Sequence, residues 1–160
     1  MKSMRSLLML PSLILAFYSC GHAQDWRKIV PLKSTRTEVE ALLGAAQGAY
    51  SAIYQLREGS LFIEYSSGPC RPERKGWNVR ENVVVSLSFS PRHKKRVGDL
   101  RIDPKKFRKT VDQHVIGIIY YINKEDGITY EVQDGKVESI EYGPPKKYDN
   151  LYCGDLPKNR

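Results

Sequence analysis

Few residues in this sequence have the types and spacing that catalysis requires. Asp112 and His114 lie two positions apart and could contribute an acid–base pair, but no Gly-x-Ser-x-Gly motif is present to expose a serine nucleophile. Residues 125–127 and 134–135 place carboxylates beside glycines, yet the alternating oxygen ligands of a calcium loop are absent and turns explain the glycines. We therefore expect no enzymatic activity and no cofactor.

The first 23 residues have the composition of an export signal. Lys2 and Arg5 precede an apolar run over residues 7–18, which is too short to span a bilayer. Small residues before the expected cut predict cleavage after Ala23. Alternatively, the residues before Cys20 resemble a bacterial lipobox, in which Cys20 would be lipidated and become the N-terminus. We expect an exported protein, periplasmic or secreted after cleavage at Ala23, or lipid-anchored through Cys20.

Export leaves two cysteines for the folded protein. Once Cys20 is removed or lipidated, Cys70 and Cys153 remain, and an even pair in an oxidising compartment predicts a disulfide. The other interpretation is a pair of unrelated buried thiols. A zinc site built from these two cysteines with His93 and His114 would lack the short paired spacings that zinc sites use. We expect a disulfide and no metal.

The positive charge of the chain is concentrated in one window. The 160 residues carry a net charge of +8, and the window between Pro91 and Thr110 holds nine basic residues against only Asp99 and Asp103. The basic residues are Arg92, Lys94, Lys95, Arg96, Arg101, Lys105, Lys106, Arg108 and Lys109. Such a window could bind anionic lipid or glycan, or could serve only solubility. No aromatic residue lies within 92–96 to stack bases, so nucleic acid is not expected.

Tyrosines provide the second candidate surface. The chain has ten tyrosines, and Tyr120, Tyr130 and Tyr142 fall on predicted strands. These three could pack beneath the helices as core residues or form an exposed sheet face. Tyrosine is favoured at protein-binding hot spots because it combines apolar area with a hydroxyl group. The three tyrosines are therefore candidates for binding another protein.

Composition and patterning predict a single globular domain over residues 24–160. The sequence is 41% hydrophobic and 28% charged, which excludes a disordered or collagen-like chain, and no Ser/Gly-rich linker divides it. Thr35 and Glu38 form a capping box before a short amphipathic helix that Gly44 ends. Asp103 and the proline after it predict a second short helix, which would carry Phe107 and Val111.

Strand patterns follow each predicted helix. Residues 52–56 and 61–65 form a predicted hairpin, and 83–89 a third strand; residues 116–122, 128–132 and 137–142 form a second set of three. The last hairpin has two candidate registers. A two-residue turn would place Val132 opposite Val137, whereas a three-residue loop would pair Ile128 with Tyr142 and Tyr130 with Ile140. We prefer the second register because it matches apolar residues with apolar ones.

The two sets of strands are similar in sequence. Residues 84–91 (VVSLSFSP) align with residues 137–144 (VESIEYGP), and the hairpin glycines Gly59 and Gly127 also correspond if residues 66–80 are an inserted loop. This alignment predicts two tandem α-β-β-β units, at about 34–91 and 103–144. The other interpretation is chance similarity between alternating strands. The predicted fold is α+β, an antiparallel sheet with two short helices packed on it.

A family resemblance rests on the first helix and the strands after it. Thr35, Val39, Leu42, Leu43 and Gly44, in a small exported protein, resemble the SmpA/OmlA outer-membrane-assembly lipoproteins and the β-lactamase-inhibitor-protein fold. Residues 26–36 (WRKIVPLKSTR) also resemble an uncharacterised group of exported bacterial proteins. The first resemblance implies recognition of another envelope or extracellular protein without chemistry. We expect a non-enzymatic protein-binding function, with binding of anionic lipid or glycan through residues 92–109 as the alternative.

Overall fold

Seven strands form one antiparallel sheet in the computed structural model, which describes residues 26–100 and 102–154. The elements are α1 (Arg36–Leu43), β1 (Ser51–Leu56), β2 (Gly59–Tyr65), β3 (Val84–Pro91), a 3₁₀ helix (Val97–Asp99), β4 (Arg108–Val111), β5 (Ile118–Asn123), β6 (Ile128–Gln133), β7 (Lys136–Tyr142) and a second 3₁₀ helix (Lys146–Leu151). The strand order across the sheet is β1-β2-β3-β7-β6-β5-β4. The predicted α+β class with an antiparallel sheet is confirmed.

Helix α1 has the ends that its sequence predicts. The Thr35 amide donates to the Glu38 carboxylate at 2.7 Å, and the Glu38 amide donates back to the Thr35 hydroxyl at 3.4 Å. Gly44 ends the helix with φ 90°, a conformation that glycine adopts without steric cost. The helix has only eight residues, so packing on the sheet must supply most of its stability.

Helix α1 and the segment before it cover one face of the sheet, which we call the covered face. Val39 of the helix is fully buried, and Trp26 packs on Phe89 of β3 with ring centroids 5.6 Å apart. The strands contribute the larger share of this core: Ala52, Tyr54, Leu61, Ile63, Tyr65, Val84 and Leu87. These residues alternate along β1 and β2 with exposed ones, so the opposite face, which we call the open face, faces solvent.

The prediction of a second helix after Asp103 is wrong. Residues 104–106 form a turn, in which the Asp103 carboxylate accepts from the Lys105 amide at 2.9 Å, and residues 108–111 form the edge strand β4. Helical spacing would bring Lys105 and Lys109 together without an acidic partner, which disfavours a helix. Phe107 instead packs on Tyr130 across the covered face, with centroids 5.5 Å apart.

The last hairpin combines both candidate registers. Ile128 pairs with Tyr142 and Tyr130 with Ile140, which confirms the preferred pairing for the outer part of the hairpin. Near the turn, however, Val132 pairs with Val137, so the loop is a two-residue turn and the predicted three-residue loop is wrong there. Asp134 and Gly135 both have positive φ, as a type I′ turn requires. A β-bulge after Glu131 joins the two registers.

The two halves of the sheet repeat the same pairing. A bulge interrupts β2–β3 after Glu64, at the place equivalent to the bulge after Glu131 in β6–β7. In each half the glutamate before the bulge accepts a hydrogen bond from a serine on the next strand, over 2.7 Å from Ser86 to Glu64 and 3.1 Å from Ser139 to Glu131. The halves meet where β3 pairs with β7. Only the first half begins with an α-helix among the described residues.

Candidate functional site

One row of side chains crosses the open face from edge to edge. Direct pairing connects, in order, Ile53, Phe62, Ser88, Glu141, Thr129, Ile122 and Arg108, one residue from each strand. Directly opposed residues in antiparallel strands share a face. All seven are exposed or half-buried, with Ile53 63% exposed and Phe62 37%. The row has an apolar end at Ile53 and Phe62, a polar centre at Ser88 and Glu141, and a basic end at Arg108.

Carboxylates dominate the charge near the middle of this face. Glu64 and Glu131 lie on either side of the Glu141 row, and the two serine hydrogen bonds described above fix both of these carboxylates. Burial raises the pKa of Tyr120, and the carboxylates of Glu131, Asp112 and Glu141 raise it further. Tyr120 is therefore a phenol whose neighbouring carboxylates, Asp112 among them, can accept a hydrogen bond from it.

A cleft of about 270 Å³ lies at one end of the open face. Its floor is the sheet, with Glu64, Ser86, Thr129 and Glu141, and its wall includes Trp77, Lys146, Asp149 and Tyr152. The cleft is open to solvent and offers aromatic surface beside hydroxyl and carboxylate groups. This combination suits the polar and aromatic groups of a peptide or protein surface.

The wall of the cleft is held by the disulfide. Cys70 and Cys153 are bonded, as the sequence predicts, with Cα atoms 6.2 Å apart and a separation of 83 positions along the chain. Two backbone hydrogen bonds of 2.7 Å run alongside it, from Asn78 to Leu151 and from Cys153 to Gly76. The Trp77 and Tyr152 rings, with centroids 5.1 Å apart, complete this contact. The bond thus ties two irregular segments into one side of the cleft.

An ion pair lies at the mouth of the cleft. The Lys146 ammonium lies 2.6 Å from the Glu125 carboxylate, and this contact raises the pKa of Lys146. Both side chains are more than half exposed, so the pair contributes little to stability.

The structure does not bring the three candidate tyrosines together. Tyr130 and Tyr142 lie on the covered face, where both are half-buried and Tyr130 contacts Phe107. Tyr120 pairs with Glu131 and therefore lies on the open face. The three do not form one exposed surface, and only Tyr120 can contribute to the site on the open face.

The basic window is exposed but divided. Its described members, Arg92, Lys94, Lys95, Arg96, Lys105, Lys106, Arg108 and Lys109, are all exposed, and Arg101 lies outside the described residues. Arg96 pairs with Lys136 on the side of β7 that faces away from β6. It therefore lies four strand spacings, or about 19 Å, across the sheet from Arg108 and Lys109 on β4. Lys94 forms an ion pair with Glu138. The window therefore forms two smaller basic areas.

Asp112 and His114 have local structural contacts. The Asp112 carboxylate accepts from the backbone amides of His114 at 2.7 Å and Val115 at 2.9 Å, and these bonds lower the pKa of Asp112. The carboxylate therefore orders the loop backbone. Its hydrogen bonds go to backbone amides and do not orient the exposed His114 imidazole. Among the described residues, no group of three or more His, Cys, Asp or Glu side chains is placed to hold a metal ion.

Reasoning from the sequence missed Glu64, Glu141, Trp77 and Tyr152. Each lies on a strand or loop without a recognisable motif, and only the strand pairing and the disulfide bring them together. The predicted signal segment, its cleavage after Ala23 and the candidate lipidation of Cys20 lie outside the described residues. Within the described part, no helix has the length and apolar character needed to span a bilayer.

Comparison with known proteins gives no identification. No family model, no curated protein and no solved structure matches this chain. The resemblance to SmpA/OmlA lipoproteins therefore stays a prediction, and the proposals below rest on the residues and geometry described above.

Proposed function

We propose that this chain is an exported, non-enzymatic protein of the bacterial envelope that binds another protein on the open face of its sheet. The observation that carries the proposal is the row from Ile53 to Arg108, which presents apolar, hydroxyl and charged side chains across all seven strands. A flat sheet face with aromatic and aliphatic groups around a polar centre suits a protein partner better than a small molecule.

The disulfide supports the exported location. Structural disulfides persist in oxidising compartments and are rare in the cytosol, and Cys70 and Cys153 are bonded. The export signal expected over residues 1–23 is consistent with this assignment. The partner is then another envelope or extracellular protein.

The test uses Ser88, the polar centre of the row. Ser88→Arg places a long cationic side chain in the middle of the open face at a position that is only half-buried, so the fold should be retained. Gln113→Arg adds the same side chain to an exposed loop and is the matched control. Proteins that co-purify with the wild-type chain should be retained by Gln113→Arg and lost from Ser88→Arg. Equal retention by the two variants would overturn the proposal.

Binding of anionic lipid or glycan is the second candidate, because the described basic residues of the window are all exposed. Vesicles containing anionic lipid and columns of acidic glycan are the probes. If the basic side chains bind the lipid or glycan, retention of the chain should weaken steeply as the salt concentration rises, whereas binding of a protein to the open face should change little. Replacing Lys94, Lys95, Arg96, Lys105 and Lys106 with Gln should abolish retention, and retention that survives excludes this candidate.

A further inference from the structure

The outer edge of β1 has no strand partner among the described residues, because β1 lies at the end of the strand order. The Tyr65 amide donates to the Tyr50 carbonyl at 2.8 Å, which makes Tyr50 and Tyr65 a hydrogen-bonded pair. Antiparallel pairs alternate between hydrogen-bonded and non-hydrogen-bonded. The backbone groups of Ser51, Ile53 and Gln55 therefore point away from β2, along the outer edge.

The side chains of β1 leave this edge without the usual protection. Its six residues, SAIYQL, include no charge, proline or glycine. Ile53 is 63% exposed, and its cross-strand neighbour Phe62 and the preceding Tyr50 are also exposed. Gly48 lies against the carbonyl oxygen of Ser51, so the most open part of the edge is centred on Ile53. An edge strand without charge, proline or glycine is a site for strand addition.

The opposite edge of the sheet is different. Strand β4 has four residues and carries Arg108 and Lys109, both exposed. Basic side chains on an edge strand prevent pairing with a second copy, since like charges would face one another. The β1 edge lacks this protection. Because the chain carries a net charge of +8, two copies can associate most readily through a surface without basic side chains, and β1 is such a surface.

The β1 sequence is complementary to itself in one antiparallel register. With Ile53 opposite Ile53 of a second copy, Ala52 lies opposite Tyr54 and Ser51 opposite Gln55. A small residue thus meets a large one, polar meets polar, and the exposed isoleucines cover each other. In this register, each residue whose backbone groups point outward lies opposite another such residue of the second copy. The two Ile53 residues can therefore exchange both backbone hydrogen bonds.

We propose that two copies of this chain associate through β1, antiparallel and centred on Ile53, to form one continuous sheet. The two-fold axis of this pairing is perpendicular to the sheet, so both open faces lie on the same side. The contact removes Ile53 and part of Phe62 from water and satisfies the outward backbone groups of Ile53 in both copies. This inference goes beyond the proposed function, and Ile53 belongs both to the row on the open face and to this contact.

Sedimentation of the purified, disulfide-bonded chain over a range of concentrations tests the association. The wild-type chain should approach twice the monomer mass. Ile53→Lys should lower the association constant more than about tenfold, because two like charges meet at the centre of the contact. Val111→Lys places the same charge on the exposed β4 edge and should associate like the wild type. A wild-type chain that is monomeric throughout, or equal effects of the two variants, would overturn the proposal.

Cysteine cross-linking tests the register and does not depend on how well Ile53→Lys folds. Ile53→Cys should form a covalent dimer on mild oxidation, because opposed residues of a hydrogen-bonded pair lie about 5.5 Å apart at their Cα atoms. Gln55→Cys exposes a thiol two residues along the same edge and should cross-link far more slowly. Equal cross-linking at the two positions, or none at Ile53, would contradict the proposed pairing.

Discussion

Ser88 of β3 lies directly opposite Glu141 of β7, and the sequence alignment of the two halves makes these residues equivalent. The neighbouring pairs behave in the same way, since Leu87 faces Tyr142 and Phe89 faces Ile140. The sheet therefore has an approximate two-fold relation at the junction of its halves. The centre of the open face coincides with this junction, and Glu141, the carboxylate of the row, lies there.

The covered face should supply most of the folding stability. Leu87 is fully buried beside β2 and β7, so Leu87→Ala should lower the free energy of unfolding by about 2–5 kcal/mol. Ile53→Ala removes an aliphatic side chain that is 63% exposed and should change it by less than about 0.5 kcal/mol. Urea unfolding measures both values, at concentrations where the chain is monomeric. Similar losses for the two variants would show that the faces are assigned incorrectly.

The disulfide should stabilise the fold and fix the wall of the cleft. Cys70→Ser removes a cross-link between residues 83 positions apart and should lower the free energy of unfolding by about 2–5 kcal/mol. Cys153→Ser should have the same effect, and reducing agent should bring the wild-type chain to the level of both variants. Unfolding in guanidinium chloride measures the change. If reduction leaves the midpoint unchanged, the cross-link does not constrain the fold.

The capping box predicts a specific acid sensitivity. Hydrogen bonds from the Thr35 amide and hydroxyl lower the pKa of Glu38 below its ordinary value of 4.5. A carboxyl group with a lowered folded-state pKa stabilises the protein above its unfolded pKa, and this stabilisation is lost as the pH falls through the folded-state pKa. Glu38→Ala should therefore destabilise the protein at pH 7 and have a smaller effect at pH 3.

Glu38→Gln is the control for this pH dependence. It keeps an acceptor for the Thr35 amide but has no titrating charge, so its contribution to stability should not vary between pH 7 and pH 3. Thermal unfolding at the two pH values gives the comparison. An Ala variant that loses equal stability at both pH values would argue against ionised Glu38 as the acceptor.

Local sequence signals account for much of the fold. The capping box at Thr35, the glycine that ends α1 and the alternation of apolar residues in the strands each act within a few residues, so the sequence reveals them. The helix predicted after Asp103 fails because its start signals suit a turn equally well. The repulsion among Lys105, Arg108 and Lys109 and the available edge of β5 then favour a strand.

Longer-range features could not be read from the sequence. The two registers of the last hairpin were each reasonable, and the structure uses both because the Asp134-Gly135 turn and the outer apolar pairs impose different alignments. The candidate site depends on pairings across seven strands and on a disulfide between distant segments. Its residues, such as Glu141 and Trp77, therefore lack any local sequence signature.

Site-specific photo-crosslinking tests the central claim, that the open face holds a protein partner. A photoreactive amino acid at position 88 stands at the centre of this face, and the same group at position 113 stands on the exposed loop after β4. Irradiation of cells that produce the chain should give one reproducible cross-linked partner at position 88 and none of that species at position 113. The same species at both positions, or no cross-link at position 88, would contradict the account.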